Sequence, residues 1–592
     1  MKRNASTEIP SNVIVVDTES NIEETDGIQK QTFRLGYAIR ITRKGSEWTT
    51  KGCKLQSIER FWKLLDDCAR EKTRLYVYAH NMKYDFAILK LDSYISSRKL
   101  DIIMDVRESV FIVKASNILF LSSTNYYQMS LKKLGKEFGL SKMETPNFVT
   151  VSSTELMTYC KRDTEVLATL IIKHIQFIKE NDLGCFKPTI AGQALTAFRH
   201  RFMHSNLLIH NFMDILSLEQ RSYRGGRCEA FRLGTFKDIY KLDINSMYPY
   251  VMKNFRYPTR PVTNRVLADC TLDMLTESYK SDKFVIADCD LKLNEPLIAV
   301  KREKLFFPTG RIRQVITEPE IRYLLNTPAI GSIEKIHSMV AYEQENIFDS
   351  YVDYFYKLKS ESDNKAIVLM SKLFLNSLYG KFGQHCSTMS EKITDPIKIK
   401  MYFEIMKEEN TLEIFDGISS KYIRKGDDLY HIVKVEGEYA NNSIPGIASA
   451  VTAYSRTLLY DLIRVSGECL YCDTDSLFVG ASGYEKLKSL GYLHEKEIGK
   501  LKVEEIGEVT INGAKDYIFN GKSKLKGIKS DATKISETEY RQLQFETGNA
   551  RYLHGTPDGI VLVKPVIKTI SRRYNKGIVN GSYITPLIFS DF

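Results

Sequence analysis

Three polar pairs fall within the first 163 residues, each spaced to suit one kind of element. Asp17 and Glu19 of "IVVDTES" stand two apart at the end of an apolar run, so on a strand their side chains leave one face. Asn81 and Asp85 of "HNMKYD", and Tyr159 and Asp163 of "YCKRD", are four apart, the spacing of a shared helical face. Carboxylates that converge in this way can hold two divalent cations, one generating hydroxide and the other stabilising a leaving oxygen, a common route to phosphodiester hydrolysis. Asp17, Glu19, Asp85 and Asp163 would supply that site, with Tyr159 orienting the attacking water. Any one pair alone is more often a surface or capping feature; the order of all three carries the reading.

A second set begins 80 residues after Asp163. "KLDINSMYPYVM" ends an alternating strand at Asp243, and "YCDTDSLF" puts Asp473 and Asp475 at the tip of a hairpin. Between them, "SKLFLNSLYGKFG" presents Lys372, Asn376 and Tyr379 at i, i+4 and i+7, one polar-tipped helical stripe. A lysine for phosphates, a ring for a base and a glycine beside it for close approach suit a nucleotide-binding helix; in isolation the segment reads more readily as an ordinary amphipathic helix.

The elements that must position these groups follow from periodicity. Strands ("NVIVVDTE", "TFRLGYAIRI", "RLYVYAH", "SVFIVKA", "ILFLSS") and helical patterns ("IERFWKLLDDCAREK", "STELMTYCKRDTEVLATLIIKHIQFIKE") make an α/β domain of about 185 residues, its last helix stopped by "NDLGCFKP". The span from "IFDSYVDYFYKLK" to "IVLMSKLFLNSLYGKFG" has a helical period broken by "KSESDNK", which predicts two antiparallel helices joined by a tip. A chain of 592 residues exceeds what one core supports, so several units are expected.

The first set resembles the three motifs of the DEDDy 3′–5′ exonucleases, which have an RNase H-like fold; Lys142 matches an auxiliary lysine of one branch. The second set resembles motifs A, B and C of family B DNA polymerases: D-x-x-S-x-Y-P, K-x-x-x-N-S-x-Y-G and Y-x-D-T-D. The resemblance implies that Asp243 and Asp475 hold two Mg²⁺ ions, with Mn²⁺ able to substitute, and that Asp473 supports them. It implies that the amide of Met247 and the carbonyl of Ile244 help hold triphosphate and metal, that Lys372 contacts the triphosphate, and that Thr474 lies against DNA. Tyr248 would exclude a ribose 2′-hydroxyl, and Tyr379 would line the base-pair pocket. "AKDYIF" is similar to a K-x-Y motif, giving Lys515 and Tyr517 the primer terminus.

"SYRGGR" resembles the Y-x-G-G motif of the protein-primed branch, in which Tyr223, Gly225 and Gly226 help coordinate synthesis with editing. The intervals of 129 residues from Asp243 to Lys372 and 103 from Lys372 to Asp475 leave room for that branch's two insertions. A strand-binding motif of the exonuclease has two candidates, "STNYY" beginning at Ser123 and "SLKKL" at 130–134. A further triphosphate lysine is Lys359 or Lys357.

The implied organisation is α+β and multidomain: an RNase H-like exonuclease (1–187) followed by a right-hand polymerase. Palm segments take 188–255 and 437–540, fingers 348–384, insertions 256–347 and 385–436, and thumb 541–592. The implied partners are primer-template DNA, dNTPs and a terminal priming protein, the chain being a monomer or a heterodimer with that protein.

Composition agrees with this reading and adds little. Hydrophobic residues at 43% and charged residues at 27% are ordinary for globular proteins. No apolar run is long enough for a membrane span and the N-terminus lacks a secretion signal, so an intracellular protein is expected, in host cytoplasm if phage- or plasmid-encoded. Cys469 and Cys472 have no second pair to complete a zinc site. The net charge of +11 favours a polyanionic partner, and the basic runs 521–529 and 564–576 sharpen this only a little, such runs being more often solvated surface than binding tracks. Two rival readings are a nuclease whose second half only clamps DNA, and a non-catalytic DNA-binding protein.

Overall fold

The computed structural model describes residues 1–590 except 108, 149, 385–388, 407–410, 416–418, 426–427, 434–442 and 547–555. Parts of the expected second insertion and of the expected thumb therefore lie outside the described residues.

The N-terminal sheet explains why its first strand reads as an unbroken apolar run. Val13, Ile14, Val15 and Val16 are all fully buried. Val13 and Val15 enter one core while Ile14 and Val16 enter another, because the sheet is covered on both faces. Strand β1 (Asn12–Thr25) pairs antiparallel with β2 (Ile28–Lys44) and parallel with β4 (Leu75–Ala79). Beyond β4 come β7 (Ile118–Ser122), β6 (Phe111–Ala115) and β5 (Ile102–Val106), while β3 (Glu47–Leu55) pairs with β2. β3 and β5 have no place in the sequence reading, since neither carries a clean alternation of buried residues. Helix α1 (Ile58–Cys68) starts on the Ser57 side chain, and α2 (Met82–Ile88) follows β4 directly. The closing helix Ser153–Glu180 opens with a capping box in which Ser152 and Glu155 satisfy each other's backbone N–H.

The C-terminal segment continues this same sheet. Strand Ile560–Thr569 pairs with the first half of β2, Gln29 opposite Val563, and Glu539–Phe545 pairs outside it. Ser93 fastens the junction, its N–H and hydroxyl both donating to Asp558 Oδ2 at 3.2 and 2.6 Å. Several of the basic C-terminal residues are engaged internally: Arg572 with Asp516 and Glu537, Lys564 with Glu546, Lys576 with the Cys228 carbonyl.

A second sheet has seven strands, with β9 (Gly234–Ile244) at its centre between Ser476–Val479 and Leu501–Gly513; β8 (Cys228–Ala230) ends it beyond Cys469–Asp473. The 256–347 region builds a further sheet from Tyr257–Pro261, Phe284–Leu293, Thr309–Thr317 and Gly331–Glu345, which the C-terminal strand Ile588–Phe589 joins beside Thr309–Thr317. Helices Asp349–Glu361 and Lys365–Ser377 pack together, with Phe355 stacked on Phe374 at 4.8 Å. Their tip is shorter than "KSESDNK", the first helix running on through Glu361. Among the described residues, no helix is long and apolar enough to cross a membrane.

Candidate active sites

Asp17 and Glu19 point from one face of β1, and the register of β1 with β2 shifts between Glu19 and Ser20. That irregularity interrupts the ladder just past the pair, after which pairing resumes to Thr25 opposite Ile28; bulges beside sites commonly re-aim a strand in this way. Asp85 comes from α2 and is held by Thr18, whose Oγ1 donates to its Oδ1 at 2.8 Å. Asp163 comes from the closing helix, and Lys142 Nζ lies 2.6 Å from its Oδ2 and 5.1 Å from the Tyr159 ring centre.

The crowding leaves these acids reluctant to ionise. Burial, then Glu19 and Asp85, raises Asp17 well above the usual carboxylate range. Burial, then Asp163, pushes Glu19 up to about 8, and burial pushes Asp85 up to about 7. Asp163 Oδ1 is buried and accepts no hydrogen bond. Four carboxylates with one lysine in direct contact, and an orphaned oxygen among them, fit divalent cations.

Three sequence candidates of this site sit differently from a simple helical face. Asn81 is the residue capping α2 rather than part of its body. It lines a cavity of about 230 Å³ with Phe111, Ser122, Thr124 and Gln128. Ser123 itself is fully buried and bonds His80 Nδ1 at 2.8 Å, while Tyr126 and Tyr127 of "STNYY" lie in the core. The alternative "SLKKL" forms a short helix, Leu131–Glu137, capped by Ser130.

The second site forms where β9 meets the hairpin. Asp243 is paired with Ser476 in register, and the Ile244 N–H donates to the Asp475 carbonyl at 2.8 Å, tying the two acidic segments together. Thr474 takes a left-handed backbone, φ +64°, an uncommon conformation for a β-branched residue. Its N–H donates to the Arg227 carbonyl at 2.6 Å. The hairpin tip is thus held by "SYRGGR".

That contact gives Gly226 a physical reason. A Cβ there would lie 3.0 Å from both Thr474 Cγ2 and the Tyr248 hydroxyl, and Tyr248 is stacked on Tyr379 with ring centres 4.6 Å apart. Gly225 faces open space, and its carbonyl accepts from Arg456 at 3.2 Å. Tyr223 packs where a side chain on Gly383 would otherwise stand.

Burial, then Asp243, pushes Asp475 up to about 6, and burial likewise raises Asp243. Apposed acids of this kind could hold metal ions. Lys359 donates to Ser246 Oγ at 2.8 Å, and burial, then Lys372 and Lys502, brings its amine down to about 8. Three lysines thus crowd beside Asp243. Lys372 and Asn376 are exposed on one helix, but that helix ends at Ser377 and Tyr379 opens a separate tight turn. Lys515 contacts Asp473 at 3.1 Å, and the Tyr517 ring is packed under the hairpin against Tyr471 and Phe478.

Sequence reasoning missed Thr18, Lys502 and Glu504. Lys502 stands opposite Asp243 on the neighbouring strand, 3.2 Å from its Oδ2 and 3.8 Å from Glu504. The only signal in "KLKVEEIG" was an i, i+2 charge pair, which a solvated strand also shows.

Two acidic clusters are thus carried by two different sheets of one α+β multidomain chain, the second of them beside three lysines. The family model for DNA polymerase type B, organellar and viral, matches residues 143–467, and the chain belongs to that family. It is similar to a probable DNA polymerase of Ascobolus immersus, 29% identical over 55% of this chain and 26% of the relative. The DNA-directed DNA polymerase of Enterobacteria phage PRD1 is 25% identical over 58% of this chain and 56% of the relative. The chain spans only 26%, 34% and 32% of the Ascobolus, Neurospora and Podospora relatives. Its fold is that of Phi29 DNA polymerase in complex with primer-template DNA and incoming nucleotide, with a TM-score of 0.67 over 95% of this chain and all of the other at 16% identity.

Proposed function

We propose that this chain is a DNA-directed DNA polymerase that extends a 3′-hydroxyl with deoxynucleotides and edits the product with its own 3′–5′ exonuclease. The observation that carries the reading is the junction of Asp243 with Asp475 through the Ile244–Asp475 backbone bond, flanked by Lys359, Lys372 and Lys502. Acids and cations side by side suit a magnesium triphosphate, whose metal and phosphates carry opposite charges.

Asp243 and Asp475 would hold Mg²⁺, which when bound acidifies the attacking hydroxyl and neutralises the departing pyrophosphate. The three lysines bind and orient the phosphates, Tyr248 and Tyr379 form the stacked wall against which sugar and base are positioned, and Lys515 stands by Asp473 where a primer end would arrive. In the N-terminal domain Asp17, Glu19, Asp85 and Asp163 would hold Mg²⁺, and Tyr159 and Lys142 orient the water. Asn81 and the groove beside it receive a single strand. The 256–347 sheet is a candidate surface for a priming protein, and initiation on a protein hydroxyl follows from the "YRGG" likeness alone.

The test is separability. Asp475→Asn abolishes Mg²⁺-dependent dNTP incorporation on a primed template and keeps single-strand degradation; Asp17→Asn with Glu19→Gln does the reverse. Loss of both activities in either folded variant sinks the two-site reading. Protein priming is tested apart, by a covalent deoxynucleotide adduct on a co-encoded protein.

A further inference from the structure

The cradle of the N-terminal domain contains a group that carboxylate chemistry does not need. Cys160 follows Tyr159 on the closing helix, is fully buried, and places its Sγ 3.3 Å from the Asp17 carbonyl oxygen, to which the thiol donates. One ligand atom each from Asp17, Glu19 and Cys160 lies within 4.8 Å of the others. A second observation is independent of the cysteine: Asp163 is only 4% exposed, and its Oδ1 has no partner.

Zinc binds sulfur at about 2.3 Å and carboxylate oxygen at about 2.0–2.2 Å. Around a tetrahedral ion such ligands stand roughly 3.3–3.7 Å apart, so side-chain atoms already within 4.8 Å of one another close on an ion by a small adjustment. Thiolate suits zinc and cadmium far better than magnesium, which takes oxygen ligands and keeps its water. Among the described residues, no comparable group surrounds Asp243 and Asp475.

We propose that Asp17, Glu19 and Cys160, with Asp163 beside them, form a site for a thiophilic divalent cation, zinc or cadmium, which competes with magnesium and selectively holds off degradation. On binding, the Cys160 S–H bond is exchanged for a sulfur–metal bond and the proton leaves to buffer; no redox step is involved. The inhibitory consequence rests on the nuclease reading above, whereas the metal site does not.

The full chain is titrated with Co²⁺ in the absence of other metals, and the thiolate-to-cobalt charge-transfer absorption is followed. One thiolate's worth of absorption is expected to disappear in Cys160→Ala and also in Asp17→Asn, which leaves the sulfur in place. Circular dichroism checks that each is folded; should Cys160→Ala fail to fold, Cys160→Ser and Asp17→Asn carry the same comparison. Absorption that is unchanged in the folded variants overturns the proposal. In a second readout, the Zn²⁺ concentration that halves each variant's own Mg²⁺-supported degradation rises at least tenfold in Cys160→Ala, and an equal sensitivity counts against the site. A wild type that degrades single strands but lacks the cysteine-dependent band keeps the nuclease reading and loses this one. A wild type with the band and no degradation does the opposite.

Discussion

Lys502 Nζ lies 3.2 Å from Asp243 Oδ2, across a register pair that joins the two central strands of the second sheet. Together with Lys359 and Lys372 it makes a cationic wall on one side of the acids. A lysine in that position serves two ends, holding Asp243 in place and offering charge to phosphates.

Lys502→Met is expected to lower kcat/KM for dNTP incorporation about tenfold, a loss of about 1.4 kcal/mol. Single-strand degradation, which uses a different sheet, keeps its rate. Steady-state incorporation with varied dNTP separates the effects: a change confined to KM assigns Lys502 to binding, and no change in either parameter refutes the role.

Gly226→Ala pushes a methyl group against both Thr474 and Tyr248. Overpacking at a well-filled point costs about 1–3 kcal/mol, so Tm falls by several degrees and incorporation drops at least tenfold. Gly225→Ala meets open space and leaves Tm within about a degree. Differential scanning calorimetry on the two variants is decisive, since equal losses would contradict the packing argument.

Thr18→Val keeps the shape of a β-branched side chain but removes the 2.8 Å bond to Asp85. Removing the side-chain donor from that buried carboxyl, which keeps its backbone N–H partners, costs about 1–3 kcal/mol. Degradation of single-stranded DNA should fall about tenfold or more with incorporation retained. A Thr18→Ser variant, which keeps the hydroxyl, restores most of the rate.

The stability of the metal-free protein should depend on pH in a direction set by Glu19. Its folded pKa, about 8, stands above the ordinary glutamate value near 4.3. A raised folded pKa means that the folded state holds the proton more tightly, so the contribution is complete below about pH 4.3 and is lost as pH rises through 8. Urea unfolding at several pH values should show this decline, and Glu19→Gln should flatten it. Added Mg²⁺ should restore stability most at the alkaline end, where no proton has to be displaced. A stability that climbs between pH 5 and 8 in the metal-free wild type, and does so equally in Glu19→Gln, would refute the assignment.

How much of this could be read from the sequence follows from the range of each interaction. Asp17 with Glu19, Tyr159 with Asp163 and Asp473 with Asp475 are local relations, fixed by the two-residue period of a strand, the helical turn and a tight hairpin. So were the strand ending at Asp243, the 28-residue closing helix and the paired helices before Tyr379. Where local rules ran out, the reading did too: Tyr379 left its helix, and Asn81 became a cap.

Tertiary structure decided what distant segments do to one another. The partnership of Lys502 with Asp243 depends on the register of Leu501–Gly513 against β9, and no residue in either strand announces it. The strained Thr474 is intelligible only once Arg227 supplies its acceptor, 247 positions away. The docking of Ile560–Thr569 onto β2 joins segments more than 500 residues apart in one sheet, since an unpaired edge accepts any strand that presents matching N–H and carbonyl groups. Hydrogen-bond ladders and burial act through space, so a sequence states which residues could meet, and only the folded chain determines which of them do.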